Sequence, residues 1–152
     1  MYKFVFILIV AFANAENLNK KFCIGEDNTK CSIHSVILDP CPEGPAFCTL
    51  KRNKQYTITV DLTPQFSAKT LKLALFADDT NKGLFDKTVK IPMEACDVLT
   101  CPMEANVRRL FDVDFVLGKT LGTEKFPLKV KLWNEDDDSQ YCCFTFSVKM
   151  FK

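Results

Sequence analysis

Val36-Ile37-Leu38-Asp39-Pro40-Cys41-Pro42-Glu43-Gly44-Pro45-Ala46-Phe47-Cys48, followed after a short basic turn by Tyr56-Thr57-Ile58-Thr59-Val60-Asp61-Leu62, is the stretch whose reading decides the fold. Two strand-forming segments flank a loop rich in proline, with Gly44 inside it and a cysteine near each end. That composition makes a tight, rigid connection rather than a helix. The second segment alternates without a fault, with Tyr56, Ile58, Val60 and Leu62 on one side and Thr57, Thr59 and Asp61 on the other. A ribbon of period two with one buried and one wet face has this pattern.

The alternation recurs along the chain. Lys72-Leu73-Ala74-Leu75 and Leu128-Lys129-Val130-Lys131-Leu132 show it with aliphatics, and Phe111-Asp112-Val113-Asp114-Phe115 and Phe144-Thr145-Phe146-Ser147-Val148 with aromatics. It predicts strands over 33–39, 55–63, 70–77, 84–91, 107–117, 126–133 and 142–150. Polar turns separate them, at 78–83, 118–122 and the acidic run 134–139. No long segment carries a capped 3.6-residue apolar period, so helix content is expected to be low. About seven short strands with turns between them predict an all-β sandwich.

Residues 1–15 hold a basic Lys3, an apolar run from Phe4 to Phe12 and the small-residue end Ala13-Asn14-Ala15, the pattern of a secretory signal peptide. The expected organisation is a leader over 1–15 and one domain over 16–152. No later segment reaches the roughly 18 consecutive apolar residues of a membrane helix, and no lipidation motif is present. Without Lys3, the remaining basic residues equal the 19 acidic ones, and no basic stripe is visible. This balance excludes nucleic acid as a partner. None of the asparagines sits in an Asn-x-Ser/Thr sequon.

Eight cysteines in a secreted chain of this length imply four disulfides formed in an oxidising compartment. Cys41 and Cys48 bracket one loop and Cys96 and Cys101 another, so each pair is expected to close on itself. Cys23 and Cys31 then meet Cys142 and Cys143, and spacing does not say which takes which. Zinc would need repeated short Cys/His pairs, whereas the chain has one histidine. The acidic run 134–139 lacks the spaced carboxylates and central glycine of a calcium loop and reads as a solvated hairpin tip. No metal or cofactor is expected.

Catalytic residues are not evident either. His34 shares by parity a face with Val36 and Leu38, a structural placement, and no Gly-x-Ser-x-Gly elbow supplies a nucleophile. Asp112 and Asp114 fall on the wet side of their strand, and no thiol is left unpaired. The informative excess is aromatic: of 14 phenylalanines, only Phe4, Phe6 and Phe12 belong to the leader. The rest either fill a packed core or line an apolar cavity within it, and composition alone does not choose.

The leader, Val36-x-Leu38-Asp39-Pro40-Cys41-Pro42, Tyr56-x-Ile58-x-Val60, Cys96 with Cys101-Pro102, Phe126-Pro127 feeding a Lys/Val strand, and Cys143 before a closing strand together resemble the lipid-recognition (ML) domain family. Within it they are most similar to the Niemann-Pick type C2 sterol carriers and their arthropod relatives, including the group-two mite allergens. The resemblance implies an immunoglobulin-like β-sandwich with an apolar cavity between the sheets. It places Tyr56, Ile58, Leu73, Leu75, Val89, Ile91, Phe126, Phe144, Phe146 and Val148 toward that cavity, and Phe111, Phe115, Leu128 and Val130 fit there by alternation. It also implies Cys23–Cys143 as the long-range bridge, leaving Cys31–Cys142 as a pair additional to the family pattern. The Cys41–Cys48 loop and the segment between Cys101 and Pro127 are longer than the family's.

The expected function is therefore a secreted, extracellular, monomeric and non-enzymatic carrier of a sterol, fatty acid or other lipid, which docks on a membrane or receptor for ligand transfer. The alternatives are a secreted interaction module of the immune co-receptor or effector type and an accessory protein that presents lipid to an enzyme.

Overall fold

The structure, a computed structural model, describes residues 16–41 and 43–151, so the expected leader lies outside the described residues. Among the described residues there are ten strands: β1 (Glu16–Asn17), β2 (Lys21–Phe22), β3 (Cys31–Asp39), β4 (Cys48–Lys51), β5 (Gln55–Pro64), β6 (Leu71–Ala77), β7 (Lys87–Glu94), β8 (Arg109–Val116), β9 (Lys125–Asn134) and β10 (Tyr141–Phe151). The helical content described is two short 3-10 turns, Asn28–Lys30 and Ala95–Asp97. One sheet runs β1-β3-β5-β8 and the other β2-β10-β9-β6-β7, with β4 added parallel to the end of β10. The chain is an all-β sandwich, and its seven long strands are those that the alternation marks.

The three further strands are short, two to four residues each, too few for a period of two to register in sequence. Their pairing partners lie far along the chain: Phe22 opposite Phe144, and Cys48 beside Val148. The seventh-strand boundaries also needed correcting in one case. Residues 84–86 lie outside β7, which continues to Glu94 through Pro92. A proline lacks the ladder donor but is tolerated on an edge strand, and β7 is the edge of its sheet.

Two irregularities re-aim side chains. In β3 the register against β5 passes from Ile33↔Leu62 to Ser35↔Asp61, so His34 is the extra residue of a bulge. The inward set therefore changes parity, from Cys31 and Ile33 before the bulge to Val36 and Leu38 after it. His34 does not share the face of Val36 and Leu38; it is exposed, with its Nε2 2.8 Å from Thr63 Oγ1. On β7, the pairs Leu73↔Met93, Leu75↔Lys90 and Phe76↔Thr88 likewise leave extra residues between them.

Four disulfides tie this frame: Cys23–Cys143, Cys31–Cys142, Cys41–Cys48 and Cys96–Cys101. Cys31 opens β3 in one sheet and Cys142 lies near the start of β10 in the other, so this bridge joins the two layers directly. Cys41–Cys48 closes the loop by which the chain passes from β3 to β4, and thus from one sheet to the other. The β3/β10 side of the sandwich is covalently stapled.

Candidate functional site

The space between the sheets is built from strand parity alone. On one side, β5 turns Tyr56, Ile58, Val60 and Leu62 inward and β8 turns Phe111, Val113 and Phe115 inward. Register places Tyr56 beside Phe115, with ring centroids 6.0 Å apart, and Val60 beside Phe111. On the other side, Leu75, Val130 and Phe144 lie in a row across β6, β9 and β10, and Ala77, Leu128 and Phe146 form the next row. Phe126 and Val148 continue the pattern toward the start of β9 and the end of β10.

Of the residues expected to face the interior, Tyr56, Ile58, Leu73, Leu75, Phe111, Phe115, Phe126, Leu128, Val130, Phe144, Phe146 and Val148 are each no more than 4% exposed. Val89 is half-buried and packs on the rim of this cluster. Ile91 is a correction: it is 75% exposed and points away from the interior. The β7 bulges that precede Pro92 break the parity on which its inward placement rested. Val36, Leu38, Val60, Leu62, Val113, Leu117 and Leu132 belong to the same buried cluster although they were not among the expected site residues. Their signal was the alternation itself, which marks an inward face without ranking the positions on it.

This interior is apolar. The buried polar side chains among the described residues are Asp61, Asp78 and Asn134, and each is satisfied at the periphery. Asp61 lies on the outer face of β5 and accepts two hydrogen bonds from Arg108, at 2.7 and 2.5 Å. That hydrogen bonding holds its carboxyl below the usual carboxylate range against the effect of burial, with the charges of Arg108 and His34 adding to it. Asn134, at the end of β9, donates to Gln140 Oε1 at 2.9 Å. The Tyr56 hydroxyl accepts from the Lys51 N–H at 2.8 Å. The inward side chains thus form an apolar interior shielded from water.

The outer faces differ. Thr57 and Thr59 donate to Asp114 and Asp112 across β5 and β8, each at 2.6 Å, so the two aspartates form a hydrogen-bonded ladder on the wet face. No group of three or more His, Cys, Asp or Glu side chains able to hold a metal ion occurs among the described residues.

At the edge opposite the staples, β7 of one sheet meets β8 of the other. Lys90 Nζ donates to the Asp114 carbonyl at 2.7 Å across this junction. The remaining covalent link near that edge is Cys96–Cys101, which lies within the β7–β8 connection and leaves the two strands unbridged along their length. The sheets are thus held by disulfides on one side and by noncovalent contacts on the other.

Comparison with known proteins agrees with this architecture. The family model described as the ML domain matches residues 17–150. The MD-2-related lipid-recognition protein of Manduca sexta is 28% identical over 130 residues, 86% of this chain and 83% of that protein. A Niemann-Pick type C2 protein from Japanese carpenter ant has a similar fold, with a TM-score of 0.52 over 97% of this chain and 100% of that one, at 18% identity.

Proposed function

The chain belongs to the ML-domain family, and on that premise we propose that it is a secreted, non-enzymatic carrier that holds a sterol, fatty acid or similar apolar lipid between its two sheets. The observation that carries the reading is the uniform apolarity of both inward faces, with the buried residues Asp61, Asp78 and Asn134 hydrogen-bonded outside them. The lining is the set Tyr56, Ile58, Leu73, Leu75, Phe111, Phe115, Phe126, Leu128, Val130, Phe144, Phe146 and Val148, with Val89 at its rim. Affinity comes from removing ligand surface from water, worth about 25 cal/mol per Å². No acid, base or metal is needed.

Because the lining is closed to solvent, ligand entry requires one edge to part. The β7/β8 edge is the one without a covalent staple along it, and Lys90 is its cross-tie. These same strands carry the exposed apolar side chains Ile91, Leu110 and Val116, which suit them to meet the membrane or receptor with which ligand is exchanged. The four disulfides fit folding in the secretory pathway and release to the extracellular space.

The test is native mass spectrometry of the protein purified from its own source, with extraction and identification of any bound species, beside thermal shifts against a sterol and fatty-acid panel. A bound lipid, or a stabilisation that scales with ligand concentration, is the expected result. A protein that carries no lipid and is stabilised by none would overturn the reading in favour of an interaction module.

A further inference from the structure

The outer face of the second sheet holds a groove of about 640 Å³, whose lining shares only Phe146 with the inward residues described above. Pro127 and Lys129 of β9 and Thr145 and Ser147 of β10 form its floor, Lys21 and the segment up to Glu26 one wall, and the loop from Asp78 to Phe85 the other. Both walls are fixed. Asp78 accepts from the Gly83 N–H at 2.6 Å, the Lys82 N–H at 3.2 Å and the Thr80 hydroxyl at 3.1 Å, and Asn81 Nδ2 donates to the Lys125 carbonyl at 3.0 Å. The opposite wall is anchored by the β2–β10 pairing and by Cys23–Cys143.

Lys129 is the distinctive group. It is a half-buried lysine whose Nζ lies 5.4 Å from the centroid of the Phe76 ring and 4.8 Å from that of Phe85, with no hydrogen bond or ion pair to any described residue. The two rings fix the position of the ammonium but give it no direct ion pair. Glu26 is near enough to favour its charge, but makes its own ion pair with Lys131 at 3.8 Å. Asp78 is committed to its own loop. The groove's charged side chains are Lys21, Lys129, Glu26 and Asp78; Glu26 is set against Lys131 and Asp78 against its own loop, so the Lys129 ammonium has no direct ion-pair partner among the described residues.

We propose that this groove is a second ligand site, separate from the interior, for a small organic monoanion with a flat apolar body, its carboxylate or sulfonate on Lys129 and its body against Phe85 and Pro127. The volume suits a compact molecule. A monoanion pairs with the ammonium held between the two rings, whereas a second negative charge on the ligand would meet the Glu26 carboxylate, whose Oε2 is buried in the same groove. Burial pulls the Lys129 ammonium below the usual lysine range, with Glu26 opposing and Lys131 reinforcing the shift. An anion beside it restores what desolvation removed.

The test is a backbone-amide NMR titration of the protein with naphthalene-2-carboxylate, with the uncharged naphthalene-2-carboxamide and inorganic phosphate as comparators. The carboxylate is expected to shift the resonances of Lys21, Gly83, Thr145 and Ser147 and to bind about tenfold more tightly than the carboxamide, the worth of one charge-assisted hydrogen bond. Lys129→Met should bring the carboxylate down to the carboxamide's affinity while leaving the carboxamide unchanged, and Lys129→Arg should retain the difference. Shifts confined to inward residues such as Ile58 and Val113, equal affinity for the two naphthalene probes, tighter binding of phosphate, or no effect of Lys129→Met would each refute the site. Because Lys21, Gly83, Lys129, Thr145 and Ser147 do not face the interior, the result is independent of whether a lipid occupies the space between the sheets.

Discussion

Enlarging Val130 to tryptophan separates a lipid-holding interior from an ordinary packed core. Val130 is 2% exposed at the middle of β9, with Leu75 of β6 and Phe144 of β10 as its immediate neighbours in register. All three point across the sandwich, so an indole at this position has nowhere to go except the inter-sheet space. If that space is close-packed, the enlargement forces neighbours off their rotamers and costs about 1–3 kcal/mol. For a domain of this size each kcal/mol lowers Tm by about 3–6 °C, so the packed case predicts a fall of roughly 3–18 °C. If the space admits a ligand, the indole occupies volume that the lipid would otherwise fill. The lipid-free protein then keeps its Tm or gains slightly, and binding of a fluorescent sterol or fatty acid is lost. Differential scanning calorimetry of the delipidated protein beside the binding titration reads both quantities. The carrier predicts lost binding with the midpoint kept. A midpoint lowered across that range, in a protein whose parent form also binds no lipid, would refute the proposal and return Val130 and its phenylalanine neighbours to core packing.

Three further outcomes follow from particular contacts. Lys90→Met removes the cross-tie from β7 to the Asp114 carbonyl and should speed lipid uptake and release about two- to tenfold, the equivalent of one hydrogen bond; stopped-flow exchange with rates unchanged would show that the β7/β8 edge is not the opening. Burial alone would raise the Asp78 pKa, but the N–H groups of Gly83 and Lys82 and the Thr80 hydroxyl outweigh it and hold the carboxyl below its usual range. Its contribution to stability is thus present above the ordinary value of about 3.9 and is lost as pH falls from there through the lower folded value. Asp78→Asn should lower stability at neutral pH and flatten the acid limb of the stability curve, and an acid limb identical to that of the parent protein would count against the loop geometry. Replacing Cys31 and Cys142 together by serine leaves Cys23–Cys143 in place, so it opens only the ring of about ten residues between the two bridges and should cost about 2–3 kcal/mol in denaturant unfolding on the chain-entropy account; a loss below about 1 kcal/mol would mean that this bridge does not constrain the unfolded chain.

The sequence by itself determined the β-sandwich and most of its inward face, because both rest on local information. Parity within a strand does not depend on what the strand pairs with, so Tyr56-Thr57-Ile58-Thr59-Val60 and Phe144-Thr145-Phe146-Ser147-Val148 declare their buried sides before any partner is known. What escaped parity was decided by pairing between distant segments. His34 turned outward because β3 gains one residue against β5, and Ile91 because β7 gains residues against β6; a bulge is a property of two strands and leaves no period in either one. The placement of β4 beside β10 and the choice of Cys142 for Cys31 and Cys143 for Cys23 likewise depended on which chain ends the sheets bring together. The outer groove was the least legible feature. Lys129 reads in sequence as one of several lysines on a wet face; pairing of β9 with β6 sets it beside Phe76, and the folding of the Asp78–Phe85 loop adds Phe85.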